Sequence, residues 1–354
     1  MSNYHITITR DGDGPIRYEP DAIDVTIPVE AGLHFRLVVP VGWTATVDPP
    51  STWRVTPVEP NLDQPANYTI VSVPDGTTVQ SGTIQVDLDL RSSFDPARYA
   101  LPLRNRASEL GEVNPRHDIF ERTVKLLPKR LKRLLFRGLY SDIVFLHAEG
   151  KHRGGMCSGM ARWAVARGLG QEPAPPSTEA AVERIQLYHG RQLRDRALLS
   201  AVPWFLRGSP KAAYQAVRHD LLREGITDRA LDIAVPKLWR LDLAQALVAE
   251  GHTVVPYRLR QFGAERAELE VYDPNHPAAI GSDEPRTITF DLARNRYAYG
   301  KLVEPEQTNV GIIAVRQKAY AQPGTAFLAT LGSFVFAPRR GWRALVGAYE
   351  DART

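Results

Sequence analysis

The single cysteine of this 354-residue chain, Cys157, lies in KHRGGMCSGMARWAVARGLG, residues 151–170. Gly154 and Gly155 form a tight turn ahead of it. From Cys157 onward Met160, Ala161, Trp163, Ala164 and Val165 fall at helical spacing, and Gly168 and Gly170 are placed to end the helix. Cys157 is therefore expected at a helix N-terminus, where unpaired N–H groups and the helix dipole favour a thiolate. A thiolate attacks carbonyl carbon far better than a thiol, and the same N–H groups can stabilise an oxyanion. Gly155 and Gly159 are expected to keep the approach to the sulfur free of side chains.

Partners for this cysteine occur in GHTVVPYRLRQFGAERAELEVYDPNHP, residues 251–277. HTVVPYRL and ELEVYDP read as two strands around a QFGAERA turn region. His252 starts the first and Asp273 ends the second, so antiparallel pairing brings them together. His252 can then donate one ring N–H to Asp273 and take the Cys157 proton with the other nitrogen. Asn275 is expected to close the Asp-Pro-Asn turn. Pro256 requires its strand to be an edge or bulged at that point.

These segments need elements to hold them. Residues 177–250 read as helical. Ser209-Pro210 opens PKAAYQAVRHDLLRE, with Gly225 just past its end, and LDLAQALVAEG is the last helix before the His252 strand. Trp204, Phe205 and Trp239 are expected in the core, and His189 is expected at the surface or satisfied in the core rather than lining a substrate groove. TITFDL, YAYGKLV and NVGIIAVRQ read as three further strands. Helices followed by an antiparallel sheet make an α+β domain with the site between them.

The first 90 residues differ in kind. They carry 12 Asp/Glu against 4 Arg and no Lys, while the whole chain has a net charge of +4. YHITITR, AIDVTIPV, LHFRLVVPV, NYTIVSV and GTIQVDLDL alternate as short strands between turn residues, as in an Ig-like β-sandwich. His5 and His34, without a nearby Cys, do not form a blue-copper set, and no cofactor is expected. The expected organisation is thus a two-domain chain: an all-β sandwich over 1–90, a connector over 91–140, and an α+β domain over 141–354. The connector holds RTVKLLPKRLKRLLFR, residues 122–137, with seven Lys/Arg and no acid. It reads as a basic amphipathic helix packed by its leucines, with a possible role toward an anionic surface or partner. No nucleic-acid motif accompanies it. A lone cysteine excludes an intramolecular disulfide framework and a thiolate-rich zinc site. Neither a membrane-spanning apolar run nor a signal-peptide pattern occurs, so a cytoplasmic location is expected.

GGMCSGMARW, GHTVVPYRL and YDPNHP together resemble the motifs of bacterial papain-like cysteine peptidases. Peptidase domains that process double-glycine leader peptides share the Cys, His, Asp-Pro order, and FDPARYALPLRN is also similar to a phrase of the bacterial group. The resemblance covers about residues 94–320 and is concentrated in the three motifs. It implies a papain-like fold, with Cys157 as nucleophile, His252 as base and Asp273 as orienting carboxylate, acting on a peptide or protein substrate. The chain departs from the pattern where papain-like enzymes place a Gln before the Cys. Here Lys151 and His152 stand in GKHRGGMC, which leaves His152, Asn105 or backbone N–H groups as the second oxyanion donor. Three activities fit: a peptidase; an amidase or transglutaminase-like acyl transferase, which shares the thioester; and an inactive papain-like domain used for binding.

Overall fold

The computed structural model describes residues 2–26, 35–39, 41–48, 52–58, 66–72, 75–105, 116–136, 147–148, 151–152, 156–236, 251–277, 286–307 and 310–329. The Gly154-Gly155 turn, Trp239 and the helix expected over 241–250 lie outside these residues, as do the side chains of Lys151 and His152.

The first 91 residues form β1 (Ser2–Asp11), β2 (Arg17–Glu19), β3 (Ile23–Thr26), β4 (Phe35–Val38), β5 (Trp43–Asp48), β6 (Thr52–Pro57), β7 (Ala66–Ser72) and β8 (Thr78–Arg91). β3, β6 and β5 make a three-stranded sheet, while β1, β2, β4, β7 and β8 belong to a much larger one. β2, β5 and β6 were not expected from the sequence. β5 and β6 lie on either side of the sequence DPPS, and each alternates too briefly to stand out.

Short helices follow: α1 (Pro96–Tyr99), α2 (His117–Glu121) and α3 (Lys129–Leu135). α3 covers only the second half of the basic 122–137 segment; it buries Leu134 and Leu135, but residues 122–128 are not helical and Leu126 is exposed, so the helix expected over the whole segment is shortened. Some of that charge is answered locally, Lys132 by Glu121 at 3.8 Å and Arg122 by Glu183. β9 (His147–Ala148) and β10 (Lys151–His152) form a small ladder before α4 (Cys157–Gly168). Then come α5 (Thr178–Gly190), α6 (Asp195–Arg207) and α7 (Pro210–Glu224). Ser209 caps α7 through its hydroxyl, which accepts the Ala212 N–H at 3.1 Å, and Gly225 ends it at φ +67°.

The remaining strands are β11 (Arg229–Pro236), β12 (His252–Phe262), β13 (Arg266–Tyr272), β14 (Arg286–Asp291), β15 (Arg296–Ala298) and β16 (Val310–Arg316). β11 corrects the helical reading of 177–250. Gly225 stops the preceding helix, and RALDIAVP lies between two antiparallel partners, β12 and β16, which satisfy its backbone on both edges.

The result is a mixed, sheet-rich α+β fold around an 11-stranded sheet, counted among the described residues. β12 joins its parts. One edge pairs with β13; the other pairs first with β11, then, beyond a bulge between Pro256 and Arg258, with β8. The bulge accommodates Pro256 as the sequence required. The β8 pairing runs from Arg258↔Arg91 to Gln261↔Leu88, and Arg258 clamps Asp89 through two bonds of 2.8 and 2.7 Å. The apolar core is equally continuous. Ile6, Ile70, Ile84 and Leu90 share one cluster with Leu259, Leu269, Ile288 and Phe290. Sheet and core thus run through the boundary expected at residue 90. On the edge of β8 away from β1, β7 pairs with Thr78–Ile84 and β12 with Leu88–Arg91, which leaves little of this long strand open.

Candidate functional site

α4 begins with Met156 at its N-cap and Cys157 as its first helical residue, and no side chain of Met156 caps it. The first intrahelical bond runs from the Met160 N–H to the Met156 carbonyl at 2.8 Å. The N–H groups of Cys157, Ser158 and Gly159 therefore precede the helical ladder. Ser158 through Ala166 are all buried, so the surroundings fix this helix on every side. Gly159 has a different purpose from the one expected. A Cβ there would lie 2.4 Å from the Ile185 carbonyl oxygen and 2.9 Å from the His189 Cβ, so the glycine permits close packing of α5 on α4.

The β12–β13 hairpin brings His252 and Asp273 together. His252 Nε2 lies 2.6 Å from Asp273 Oδ1, and the two residues are 6% and 3% exposed. With Nε2 so engaged, the other ring nitrogen is left for Cys157, whose thiol is electrostatically coupled to the His252 ring. The half-buried Cys157 sulfur also accepts the backbone N–H of Thr253. Cys157, His252 and Asp273 thus form one contiguous row.

Asp273 is fully engaged. Its Oδ1 also accepts the Asn275 N–H at 2.7 Å, and its Oδ2 accepts the Tyr299 hydroxyl at 2.5 Å. The Tyr299 ring stacks on His252, centroids 6.4 Å apart and planes inclined by 26°. Tyr299 was missed in the sequence because YAYGKLV offers only a strand pattern. Asn275 closes the turn with its N–H, as expected, and its side chain accepts from Asn105 Nδ2 at 3.0 Å.

The charges follow from this packing. Burial opposes a thiolate at Cys157, but the hydrogen bond and charge of His252, with the Thr253 N–H, outweigh it and hold the thiol below its ordinary value. Burial likewise opposes an imidazolium at His252, yet the bonds to Asp273 and Cys157 push its pKa up to about 10. Burial would raise Asp273, but the hydrogen bonds from His252, Tyr299 and Asn275 keep it low. All three shifts favour the charged forms: thiolate, imidazolium and carboxylate.

Behind this row lies a second link between α4 and β12. The fully buried Arg162 reaches Asp232 Oδ2 at 2.7 Å, and the Thr253 hydroxyl donates to Asp232 Oδ1 at 2.7 Å. The Arg162 guanidinium sits 3.6 Å over the Tyr320 ring. Neither Arg162 nor Asp232 carries a sequence signal, because both depend on β11 lying beside β12. His189 is buried, its Nε2 meets Gln192 at 3.3 Å, and burial pushes its pKa down to about 3. It is a neutral packing residue. No cluster of three or more His, Cys, Asp or Glu able to hold a metal occurs among the described residues. Compared with protein-family models, curated proteins and solved structures, the chain matches none of them.

Proposed function

We propose that this chain is a cysteine-nucleophile hydrolase of the papain-like type, which cleaves peptide or protein substrates through a thioester. The observation that carries this reading is His252 bridging Cys157 and Asp273, with Nε2 held at 2.6 Å from the carboxylate. The Cys157 thiolate adds to the substrate carbonyl carbon, and the oxyanion forms against N–H groups at the start of α4. The His252 imidazolium gives its proton to the departing amine as the C–N bond breaks, leaving a thioester on Cys157. Neutral His252 then takes a proton from water, whose oxygen attacks the thioester. Expulsion of the thiolate restores the starting pair. Asp273 keeps the ring in place and stabilises its charge without taking the proton.

Iodoacetamide labelling of Cys157 against pH, in wild type and His252→Ala, tests the pair. Slow labelling at neutral pH, unaffected by His252→Ala, would leave only a binding role for the domain. A peptide library with and without added primary amines then separates hydrolysis from acyl transfer. No helix among the described residues is long and apolar enough to cross a membrane. The exposed Lys129, Arg130 and Arg133 of α3 offer a patch for an anionic partner, which salt-sensitive retention on an anionic surface would reveal.

A further inference from the structure

Asn105 lies in the connector, distant in sequence from every residue of the row, yet it bonds the residues that flank Cys157 at one end and Asp273 at the other. Its Oδ1 accepts the Met156 N–H at 2.7 Å, immediately before Cys157. Its Nδ2 donates to Asn275 Oδ1 at 3.0 Å, and its own N–H donates to the Pro274 carbonyl at 2.8 Å. We propose that Asn105 is a positioning residue that fastens the start of the nucleophile helix to the turn following Asp273, and so sets the Cys157–His252 contact.

These links close a ring: Met156 to Asn105, Asn105 to Asn275, Asn275 to Asp273, Asp273 to His252, His252 to Cys157, and the chain back to Met156. A side-chain amide suits this place because it presents an acceptor and a donor together. A carboxylate could take the Met156 N–H but could not donate to Asn275. The start of α4 has no side-chain cap of its own, so Asn105 supplies from outside the restraint the helix lacks. Displacements of about 1 Å in such geometry cost large factors in rate.

This inference rests on the thiolate–imidazolium reading, and its test separates the two. Cys157 alkylation is followed against pH in wild type, Asn105→Ala, Asn275→Ala and the double variant, with folding checked by thermal melting. Asn105→Ala is expected to slow alkylation at neutral pH by about tenfold and to move the midpoint toward that of an ordinary thiol. Asn275→Ala should do nearly the same, and the double variant should be no worse than either, because both cuts open one ring. An ordinary thiol titration in the wild type would overturn the underlying reading. A lowered wild-type titration that Asn105→Ala leaves unchanged, or strictly additive effects, would overturn only the role of Asn105. Should Asn105→Ala fail to fold, Asn275→Ala reports on the same bridge from its other side, and its retaining the wild-type titration would overturn the proposal equally.

Discussion

Two buried carboxylates, Asp220 and Asp273, have opposite characters. Asp220, at 0% exposure near the end of α7, binds Arg229 at 2.8 Å, Arg316 at 3.2 Å and the Thr227 hydroxyl at 3.1 Å. It ties α7 to β11 and β16. Its closest charged partners are guanidinium groups, which donate hydrogen bonds but offer no acceptor. Asp273 is as well satisfied, but by a histidine, a tyrosine hydroxyl and a backbone N–H, and the histidine leads on to a thiol. The lesson is that partner type, more than burial, separates a structural carboxylate from one that can support proton transfer.

The comparison breaks most sharply by substitution in the row. Cys157→Ser and His252→Ala should each lower turnover of an accepted peptide by on the order of 10⁶-fold, and Asp273→Asn by on the order of 10⁴-fold. Thermal melting should show the first two folded. Asp220→Ala should do the reverse, costing roughly 1–3 kcal/mol of stability by taking the shared carboxylate from the partly buried Arg229 and Arg316, while the folded fraction keeps the wild-type Cys157 titration. A wild-type rate in Asp273→Asn, or a shifted thiol titration in Asp220→Ala, would erase the distinction.

The next effect is on pH dependence. His252 is raised to about 10 from an ordinary value of about 6.5, so the stabilisation from its charge is complete below about pH 6.5 and is lost as pH rises through about 10. Cys157 and Asp273 are lowered, so their contributions are complete above their ordinary values and are lost as pH falls through the lowered ones. Alkylation of Cys157 should therefore reach its plateau well below the ordinary thiol midpoint of about 8.5. In His252→Ala the midpoint should move above that value, because burial then acts without a counter-charge.

How much of this was legible in the sequence depended on distance along the chain. Cys157 at a helix start, and His252 and Asp273 at the two ends of a hairpin, are local patterns, and the structure places these residues as their patterns imply. β11 was hidden because a helical stretch precedes it and its stability comes from β12 and β16, which follow it. The β8–β12 seam left no mark either: Asp89 and Arg258 are 169 residues apart, and a strand's alternation says which face is buried, not which strand lies beside it. Gly159 was read for the sulfur when its constraint comes from α5. Asn105 and Tyr299 act through single hydrogen bonds to distant residues, and an Asn in a connector or a Tyr in a strand is ordinary in itself.

The smallest expected effect sharpens the comparison most finely. Tyr299→Phe keeps the ring that stacks on His252 and removes only the hydroxyl that holds Asp273 Oδ2 at 2.5 Å. The lost bond is to a charged group in a buried setting, so a cost of about 1.5–3 kcal/mol of stability is expected. The effect on chemistry should be less, because Asp273 Oδ1 keeps both His252 and the Asn275 N–H. Tyr299 limits how far the carboxylate can turn, and its loss should lower kcat severalfold with KM unchanged, since nothing in this change touches bound substrate. The Cys157 titration should broaden or rise slightly while keeping a lowered midpoint. If Tyr299→Phe were instead as severe as Asp273→Asn, the Asn275 N–H would be insufficient to aim the carboxylate. Tyr299 would then belong to the row as fully as Asp273 does. If it changed stability alone, Tyr299 would stand to Asp273 as Thr227 stands to Asp220, a donor that completes a buried carboxylate without directing it.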